Sequence, residues 1–451
     1  LGTSCVVNWA RYKTVRIKAR IVVGREENQA AVKERVLQRL VQTINPLPTP
    51  VSATGWPFGQ ALRASDVYNI ALAEPGVRWV DQVRLLVEEV PARDVTTLAA
   101  DYFQPQTWYA GSGVTLFRSL NDGEGWEPAG RFPNDPISLV RPHPFRAGWV
   151  AVVTRRPNGG GSSLHVSSDC GEGWETVGRL AFNVRDLAWA ARSELPVMLL
   201  ATDKGLYEFT LRPGGSPVQL VVDPTNQDQG FYAVAVAMDV RGTVSVAVSA
   251  QNLGGVFLSS NEGKSGTFRR IGLQGEDIRQ LAVQYDGPRA FLWGGAAAAG
   301  TDDLGKGCFR LELRGAEDAP EGWQVFGQKW EGGSCWGIAF LGGRVLAASH
   351  RQGVLQLEPG REVVWQAPDV RCGLPLRDPR RFQPVAAVAT NPQGSLVMAG
   401  GVEGVYQSQD KGTKYSFISG AEFLEKVTLA DTWLFVSGQH DVIVVNEDEA
   451  K

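Results

Sequence analysis

The feature that most constrains the fold is a short segment that recurs along the chain. It reads SLNDGEGWEPAG at residues 119–130 and SSDCGEGWETVG at residues 167–178. Degenerate copies with insertions follow, SSNEGKSGTFRRIG at 259–272 and SQDKGTKYSFISG at 408–420. Aromatic residues accompany the segment at intervals of about 40–55 residues, with one gap of about twice that length, which is the range of four-stranded repeat units. The repeat therefore predicts an array of small β-sheets.

Each repeat also divides into four short apolar runs separated by Gly, Asp, Asn or Pro, and such runs predict strands. Seven groups of runs lie between residues 94 and 420. The run at 83–90 and three late runs, KVTLAD, TWLFVSG and DVIVVN, supply an eighth group. We therefore predict a mainly β fold, an eight-bladed β-propeller over residues 91–451, preceded by a small α+β module over residues 1–90. The alternative is a seven-bladed propeller whose last strands pack elsewhere.

The pattern Ser-x-Asp-x-Gly-x-x-Trp between two strands has a physical logic. An Asp side chain accepts backbone N–H groups of a tight turn. Gly takes the positive-φ position, and Trp buries a large apolar surface between neighbouring sheets. The residues therefore predict a structural turn and not a catalytic centre.

The pattern resembles the Asp-box of sialidase-like propellers, in which the turn lies away from the catalytic face and is structural. The first copy departs from the pattern, with Asn121 in the acidic place, and the last two copies are degenerate. The residues that the resemblance assigns to such turns are Ser119, Asn121, Gly123, Trp126, Ser167, Asp169, Gly171, Trp174, Ser259, Asn261, Gly263, Phe268, Ser408, Asp410, Gly412 and Phe417.

The first ninety residues have a different pattern. YKTVRIKARIVVG at 12–24 alternates apolar and basic residues, as a half-buried strand does. ENQAAVKERVLQRLVQTIN at 27–45 predicts an amphipathic helix that ends before two prolines. A loop, a second short helix at 63–76 and a strand at 76–90 follow. The predicted order is strand, helix, loop, helix, strand.

This order, and the words INPL, GWPFG at 55–59 and SDVYNIALAEPGV at 65–77, resemble the C-terminal part of the baseplate protein J family. That family builds the baseplate wedge of phages and of other contractile injection systems. The resemblance covers about residues 10–90. The sequence given does not include the larger N-terminal part of such wedge proteins, so we expect either a fragment of a longer subunit or a short relative. The propeller is not part of the core family and is expected to be an appended module.

The resemblance implies a structural protein that docks with other wedge subunits and with further copies of itself. Trp56 and Phe58 would then lie in a contact between subunits, where aromatic residues contribute most. The basic face formed by Arg16, Lys18 and Arg20 would meet an acidic partner. The alternative is that the segment only caps the propeller and that Trp56 and Phe58 are core residues.

Composition limits the remaining functions. A net charge of −3 argues against a nucleic-acid partner, and no apolar run is long enough to span a membrane. The start of the sequence does not resemble a signal peptide, so we expect cytoplasmic assembly into a phage-tail-like particle. Five widely spaced cysteines favour free thiols. No cofactor, metal site or catalytic residue is predicted. We expect the propeller to bind a glycan, a cell surface or a neighbouring subunit.

Two other hypotheses remain. A sialidase-like glycoside hydrolase requires three clustered arginines and a Tyr–Glu pair, which the sequence does not reveal. An assembly factor, like the Asp-box propellers that help to build photosynthetic complexes, requires a propeller with little else attached. The module at 1–90 argues against the second hypothesis.

Overall fold

The computed structural model describes residues 11–87, 90–123, 125–190, 195–240, 242–313, 322–358, 362–418, 422–423, 425–427 and 433–450. The chain forms two compact units. The first contains residues 1–90, 124–127 and 419–451, and the second contains residues 91–123 and 128–418. Residues 419–451, which were expected in the propeller, therefore belong to the first unit.

The first unit is a sheet with two helices on one face. Its elements are β1 (Arg11–Val23), α1 (Gln29–Thr43), β2 (Leu62–Arg63), α2 (Ala64–Leu72), β3 (Val77–Val87), β34 (Glu422–Phe423), β35 (Lys426–Val427), β36 (Trp433–Ser437) and β37 (Asp441–Asn446), where the last four are numbered after the strands of the second unit. Strand β1 lies at the centre, antiparallel to β3 and parallel to β36 and β37. The order strand, helix, loop, helix, strand predicted for residues 12–90 is present.

The helices begin and pack as their sequences indicate. Asn28 caps α1 by accepting the backbone N–H of Ala31 through its side chain. The apolar stripe of α1, which includes Val36 and Leu40, packs on the alternate residues of β1 such as Ile17 and Ile21. One core therefore joins both helices to the sheet.

The described residues of the second unit form seven four-stranded antiparallel sheets in chain order. From the innermost to the outermost strand they are β4 (Val95–Ala100), β5 (Trp108–Ser112), β6 (Thr115–Ser119), β7 (Glu127–Arg131); β8 (Ile137–Pro142), β9 (Val150–Arg155), β10 (Ser162–Ser167), β11 (Glu175–Leu180); β12 (Val184–Ala190), β13 (Val197–Thr202), β14 (Gly205–Thr210), β15 (Val218–Leu220); β16 (Phe231–Met238), β17 (Val244–Ala250), β18 (Val256–Ser259), β19 (Arg269–Gly272); β20 (Ile278–Asp286), β21 (Arg289–Ala296), β22 (Cys308–Leu313), β23 (Gln324–Phe326); β24 (Cys335–Leu341), β25 (Arg344–Ser349), β26 (Val354–Glu358), β27 (Glu362–Gln366); and β30 (Val385–Thr390), β31 (Val397–Gly401), β32 (Gly404–Ser408), β33 (Ser416–Phe417).

Two small elements complete this unit. A one-turn helix, Pro157–Gly159, connects β9 to β10, and a hairpin of β28 (Leu376–Asp378) and β29 (Arg381–Phe382) lies between the sixth and seventh sheets. Each innermost strand contacts the innermost strand of the next sheet, and β30 contacts β4. The seven sheets therefore close into a ring, which is a β-propeller.

The eighth blade that the late runs were expected to form is absent from the described residues. The ring closes without it, because β30 contacts β4 directly. The strand from the run at 83–90 pairs with β1, and β36 and β37 pair with the opposite edge of β1. An open edge of β1 would leave a row of backbone N–H and C=O groups without partners, and the late strands satisfy it. Part of the run KVTLAD, residues 428–431, lies outside the described residues.

Candidate functional site

The four Ser-x-Asp/Asn-x-Gly turns connect the third and fourth strands of their blades and share one hydrogen bond. In each, the Ser hydroxyl accepts the backbone N–H of the Gly four residues later. The N–Oγ distances are 2.9 Å for Gly123 and Ser119, 2.8 Å for Gly171 and Ser167, 3.1 Å for Gly263 and Ser259, and 2.9 Å for Gly412 and Ser408. The Ser hydroxyl is therefore the element that all four turns use.

The acidic residue completes the turn where it is present. Asp169 Oδ1 accepts the Ser167 hydroxyl at 2.7 Å and the backbone N–H of Gly173 at 2.8 Å. Asp410 Oδ1 accepts the Ser408 hydroxyl and two backbone N–H groups. Asn121 accepts the Ser119 hydroxyl at 2.9 Å. In the third turn, where Asn261 stands in the acidic place, the Ser259 hydroxyl instead forms a hydrogen bond with the Thr267 hydroxyl.

The backbone of the turns explains the glycine. Gly171 has a φ of +90°, and Cys170 before it has a φ of +59°. The other three turns repeat this pair of left-handed residues, which a side chain at the second position disfavours. Because the Ser hydroxyls and the carboxylates of Asp169 and Asp410 form their hydrogen bonds within the turn itself, the contacts of these residues are those of a structural element.

Three tryptophans, of which Trp174 belongs to one of the four turns, connect neighbouring blades. Trp174 donates its indole N–H to the carbonyl of Ala129, on the outermost strand of the preceding blade, at 2.8 Å. Two further tryptophans make the same bond, Trp323 to Ile271 at 2.8 Å and Trp365 to Phe326 at 2.9 Å. We call this contact the indole clip. Trp126 of the first turn is fully buried.

The aromatic residue of the fourth turn was misassigned. Tyr415, seven residues after Ser408 as Trp174 is after Ser167, is 4% exposed and packs in the core shared by the sixth and seventh blades. Phe417, which was expected in this place, is 40% exposed. Spacing identifies the correct residue, and residue size alone does not. Phe268 of the third turn is partly buried against the third and fourth blades.

The expected docking residues divide into two groups. Trp56 is 8% exposed, packs edge-on against Phe435 with ring centroids 6.4 Å apart, and donates its indole N–H to Gln60. It is therefore a core residue of the first unit, and the expectation that it contacts another subunit is wrong. Phe58, two residues later, is 58% exposed and remains available.

The basic face is also partly used within the first unit. Arg20 forms two hydrogen bonds to Asp81 on β3, at 2.8 and 2.5 Å. Arg16 is half-buried near His440, and burial together with the Arg16 charge lowers the pKa of His440 to about 4. Lys18 is exposed. Of the three basic residues, Lys18 is the one that presents an exposed charge.

The structure also brings together residues that the sequence did not single out. In every blade a β-bulge interrupts the pairing of the innermost strand after its first residue, as it does between Val184 and Asp186. Bulges of this kind redirect side chains at the ends of barrels and near binding sites. The redirected residues are Thr96, Ser138, Arg185, Tyr232, Arg279, Trp336 and Ala386. We call them the channel rim, because equivalent ends of the innermost strands meet at one mouth of a propeller.

One arc of the channel rim is cationic and aromatic. Arg279 lies over the ring of Tyr232 at 5.0 Å and bonds to Asp277 at 2.8 Å, which raises the pKa of its guanidinium. Trp336 is 38% exposed and lies against His350, with ring centroids 5.0 Å apart. Arg185 is exposed. The remaining positions are Ala, Thr and Ser, so that the rim has a large-residue arc and a small-residue arc.

The histidines and cysteines of the described part of the chain do not gather at a metal-binding position. There, no group of three or more His, Cys, Asp or Glu residues is placed to hold a metal ion. Burial lowers the pKa of His143 and His165 to about 4, so that both are neutral near pH 7. Burial raises the pKa of the Cys308 thiol, whose sulfur lies 3.8 Å from that of Cys335. Cys5 lies outside the described residues.

Among the described residues, no helix is long and apolar enough to cross a bilayer.

No protein-family model matches the sequence, and no curated protein matches it. Solved structures do match. The match to the GH74 enzyme of Niastella koreensis covers 74% of this chain and 55% of the enzyme, at 14% identity and a TM-score of 0.56. The GH74 xyloglucanase of Xanthomonas campestris overlaps 75% of this chain and 56% of its own, at 16% identity and a TM-score of 0.56. This chain spans little more than half the length of either enzyme. At such identities the likeness extends to the fold alone, and the fold is a β-propeller.

Proposed function

We propose that this protein is a structural subunit of a contractile-injection baseplate, in which the first unit docks and the propeller presents a binding surface. The observation that carries the proposal is the folding of the baseplate-like words into one unit. The basic-apolar run forms β1, the run before INPL forms α1, SDVYNIALAEPGV forms α2 and the start of β3, and GWPFG connects the helices. Assembly in the cytoplasm, with other wedge subunits and further copies of the chain, belongs to this proposal.

The word GWPFG has a structural role that supports this proposal. The backbone N–H of Trp56 bonds to the carbonyl of Asn45 at 2.7 Å, and its indole packs in the core. The loop is thereby anchored at Trp56, and Phe58, two residues later, is left exposed. A fixed loop with one exposed aromatic residue suits a contact with another protein, because little entropy is lost on binding.

The propeller contributes a rigid disc in this proposal. The channel rim presents Arg185, Tyr232, Arg279 and Trp336 to a ligand. That ligand is a glycan, a cell surface or a neighbouring subunit. Rim side chains that are fixed by ring stacking and ion pairing are suited to binding without chemistry.

The test is a native purification through a C-terminal tag, followed by negative-stain imaging of the eluate. We expect particles with a sheath and a baseplate, and averaging places the discs around the baseplate. A disc-shaped protein without sheath partners overturns the proposal.

Matched variants locate the docking surface. Phe58→Ala with Lys18→Glu removes the exposed aromatic residue and the exposed charge, and we expect co-purification of sheath proteins to fall while thermal unfolding is unchanged. Trp56→Ala is the contrasting variant, because loss of a buried Trp costs about 3–5 kcal/mol of stability. Unchanged particle yield with the first variant would remove Phe58 and Lys18 from the docking surface.

The hydrolase hypothesis is tested on the same purified protein. The GH74 enzymes are glycoside hydrolases, but their likeness to this chain is one of fold. The measurement is release of product from a sialoside and from xyloglucan. Product release by the wild type that is lost in the rim variant Arg279→Ala would replace the structural proposal by an enzymatic one.

A further inference from the structure

Two cysteines of different blades lie in contact. Cys308 begins β22, the third strand of the fifth blade, and Cys335 begins β24, the innermost strand of the sixth blade. Both are free thiols, and they lie 27 residues apart in the sequence. Their sulfur atoms are 3.8 Å apart, and the Cys308 thiol donates a hydrogen bond to the Cys335 sulfur. The two side chains therefore meet across the boundary between the blades.

The packing around the pair holds the sulfur atoms in this position. Neither cysteine is exposed to solvent, and both pack in one core with Trp293 and Phe326. Gly295 pairs with Cys308 on the neighbouring strand β21. A Cβ atom at Gly295 would lie 2.7 Å from the Cys335 sulfur. The glycine therefore leaves the space into which the Cys335 thiol extends.

We propose that Cys308 and Cys335 are a modification site, at which a low-molecular-weight disulfide such as glutathione disulfide oxidises them to a disulfide bond between the fifth and sixth blades. The bond requires sulfur atoms about 2.05 Å apart, so that each sulfur moves by about 1 Å or less. The bond would connect two blades covalently where the sequence brings together only separate strands. This site is independent of the docking of the first unit, so that either proposal can fail without the other.

The reaction consists of two thiol–disulfide exchanges. The thiolate of one cysteine attacks a sulfur atom of glutathione disulfide, whose S–S bond breaks. The glutathione thiolate that leaves takes up the proton that the cysteine lost. The thiolate of the second cysteine then attacks the protein sulfur of the mixed disulfide and releases the second glutathione in the same way. The two cysteines together lose two electrons and two protons, and glutathione disulfide is reduced to two thiols.

Burial determines when this reaction takes place. It raises the pKa of the Cys308 thiol, whereas the thiolate is the form that attacks. Glutathione disulfide is also too large to enter a core in which neither cysteine is exposed. The first exchange therefore requires local opening at the boundary of the two blades. Once the boundary has closed, the same burial protects the bond from reduction.

The test equilibrates the purified protein with glutathione disulfide in urea below the unfolding transition, where local opening is populated. Iodoacetamide then blocks the remaining thiols, and tryptic peptides are identified by mass spectrometry. We expect a disulfide between peptides 307–310 and 330–344, which contain Cys308 and Cys335. Recovery of both peptides with alkylated or glutathione-bound cysteines would overturn the proposal, and so would a link from either peptide to a different cysteine.

Matched variants connect the bond with stability. Oxidation should raise the unfolding temperature of the wild type by about 3–5 °C, because the bond constrains the unfolded chain, and reduction should reverse the increase. Cys372→Ala removes a buried cysteine outside the pair and should respond like the wild type. Cys308→Ala and Cys335→Ala should show no increase. An equal increase in either of them would contradict the proposal, and the wild-type peptide map keeps the test valid if neither variant folds.

Discussion

The turns at 167–174 and 210–217 have the same length, join the same pair of strands in neighbouring blades and differ in their result. In the first, Ser167 and Asp169 hold the turn and Trp174 fastens it to the preceding blade. In the second, Pro217 stands in the place of the tryptophan. The blade forms in both cases. The motif is therefore a fastener between blades, added to a sheet that forms without it.

Removing the fastener is expected to have the largest effect. Trp174→Ala should lower the free energy of unfolding by about 3 kcal/mol, since it deletes a large side chain and its hydrogen bond. Pro217→Ala, at the equivalent place in the third blade, should change it by less than about 0.5 kcal/mol. Urea unfolding of both variants measures the difference. Equal losses would show that the two turns contribute alike.

Acid should weaken the second blade more than the third. His165 has a pKa lowered to about 4 by burial, whereas an unfolded His titrates near 6.5. The folded state therefore binds fewer protons, and its stability falls by about 1.4 kcal/mol per pH unit as the pH drops from 6.5 towards 4. Hydrogen exchange at pH 7 and pH 5 should show this in β10. His165→Gln should reduce the slope, and an unchanged slope would contradict the assignment.

Removing the Ser167 hydroxyl should lower the free energy of unfolding, whereas removing the hydroxyl of Thr210, at the equivalent place in the third blade, should leave it nearly unchanged. Ser167→Ala removes the hydroxyl that accepts the buried N–H of Gly171, at a cost of about 1–2 kcal/mol. Thr210→Ala should stay within about 0.5 kcal/mol. Thermal or urea unfolding measures both. A similar loss in the two variants would mean that the hydroxyl does not distinguish the turns.

Restoring the acidic residue should have the smallest effect. Arg212→Asp gives the third blade a carboxylate that can accept the backbone N–H of Ser216, as Asp169 accepts that of Gly173. The expected gain in stability is about 0.5–1 kcal/mol. Arg212→Ala should give no gain, and a gain in both variants would trace the effect to loss of the Arg212 charge.

The sequence predicted most of the local structure. Alternation in YKTVRIKARIVVG predicted β1, the helical period predicted α1, and the spacing of Ser167, Asp169, Gly171 and Trp174 predicted a structural turn. Local geometry sets these patterns, because a strand has a period of two residues and a helix one of 3.6. The aligned repeats would also have shown Tyr415 in the place of Trp174, seven residues after its serine.

Tertiary structure decided the rest. Only long-range pairing placed β36 and β37 beside β1 and left the ring at seven blades, and only packing buried Trp56 while exposing Phe58. The rim residues Arg185, Tyr232, Arg279 and Trp336 are of three different types, so that no common residue type predicts them and only the repeated bulge brings them to one mouth. The period of apolar residues in a sequence shows which face of a strand is buried. The element that covers that face lies far along the chain, so that only the tertiary structure identifies it.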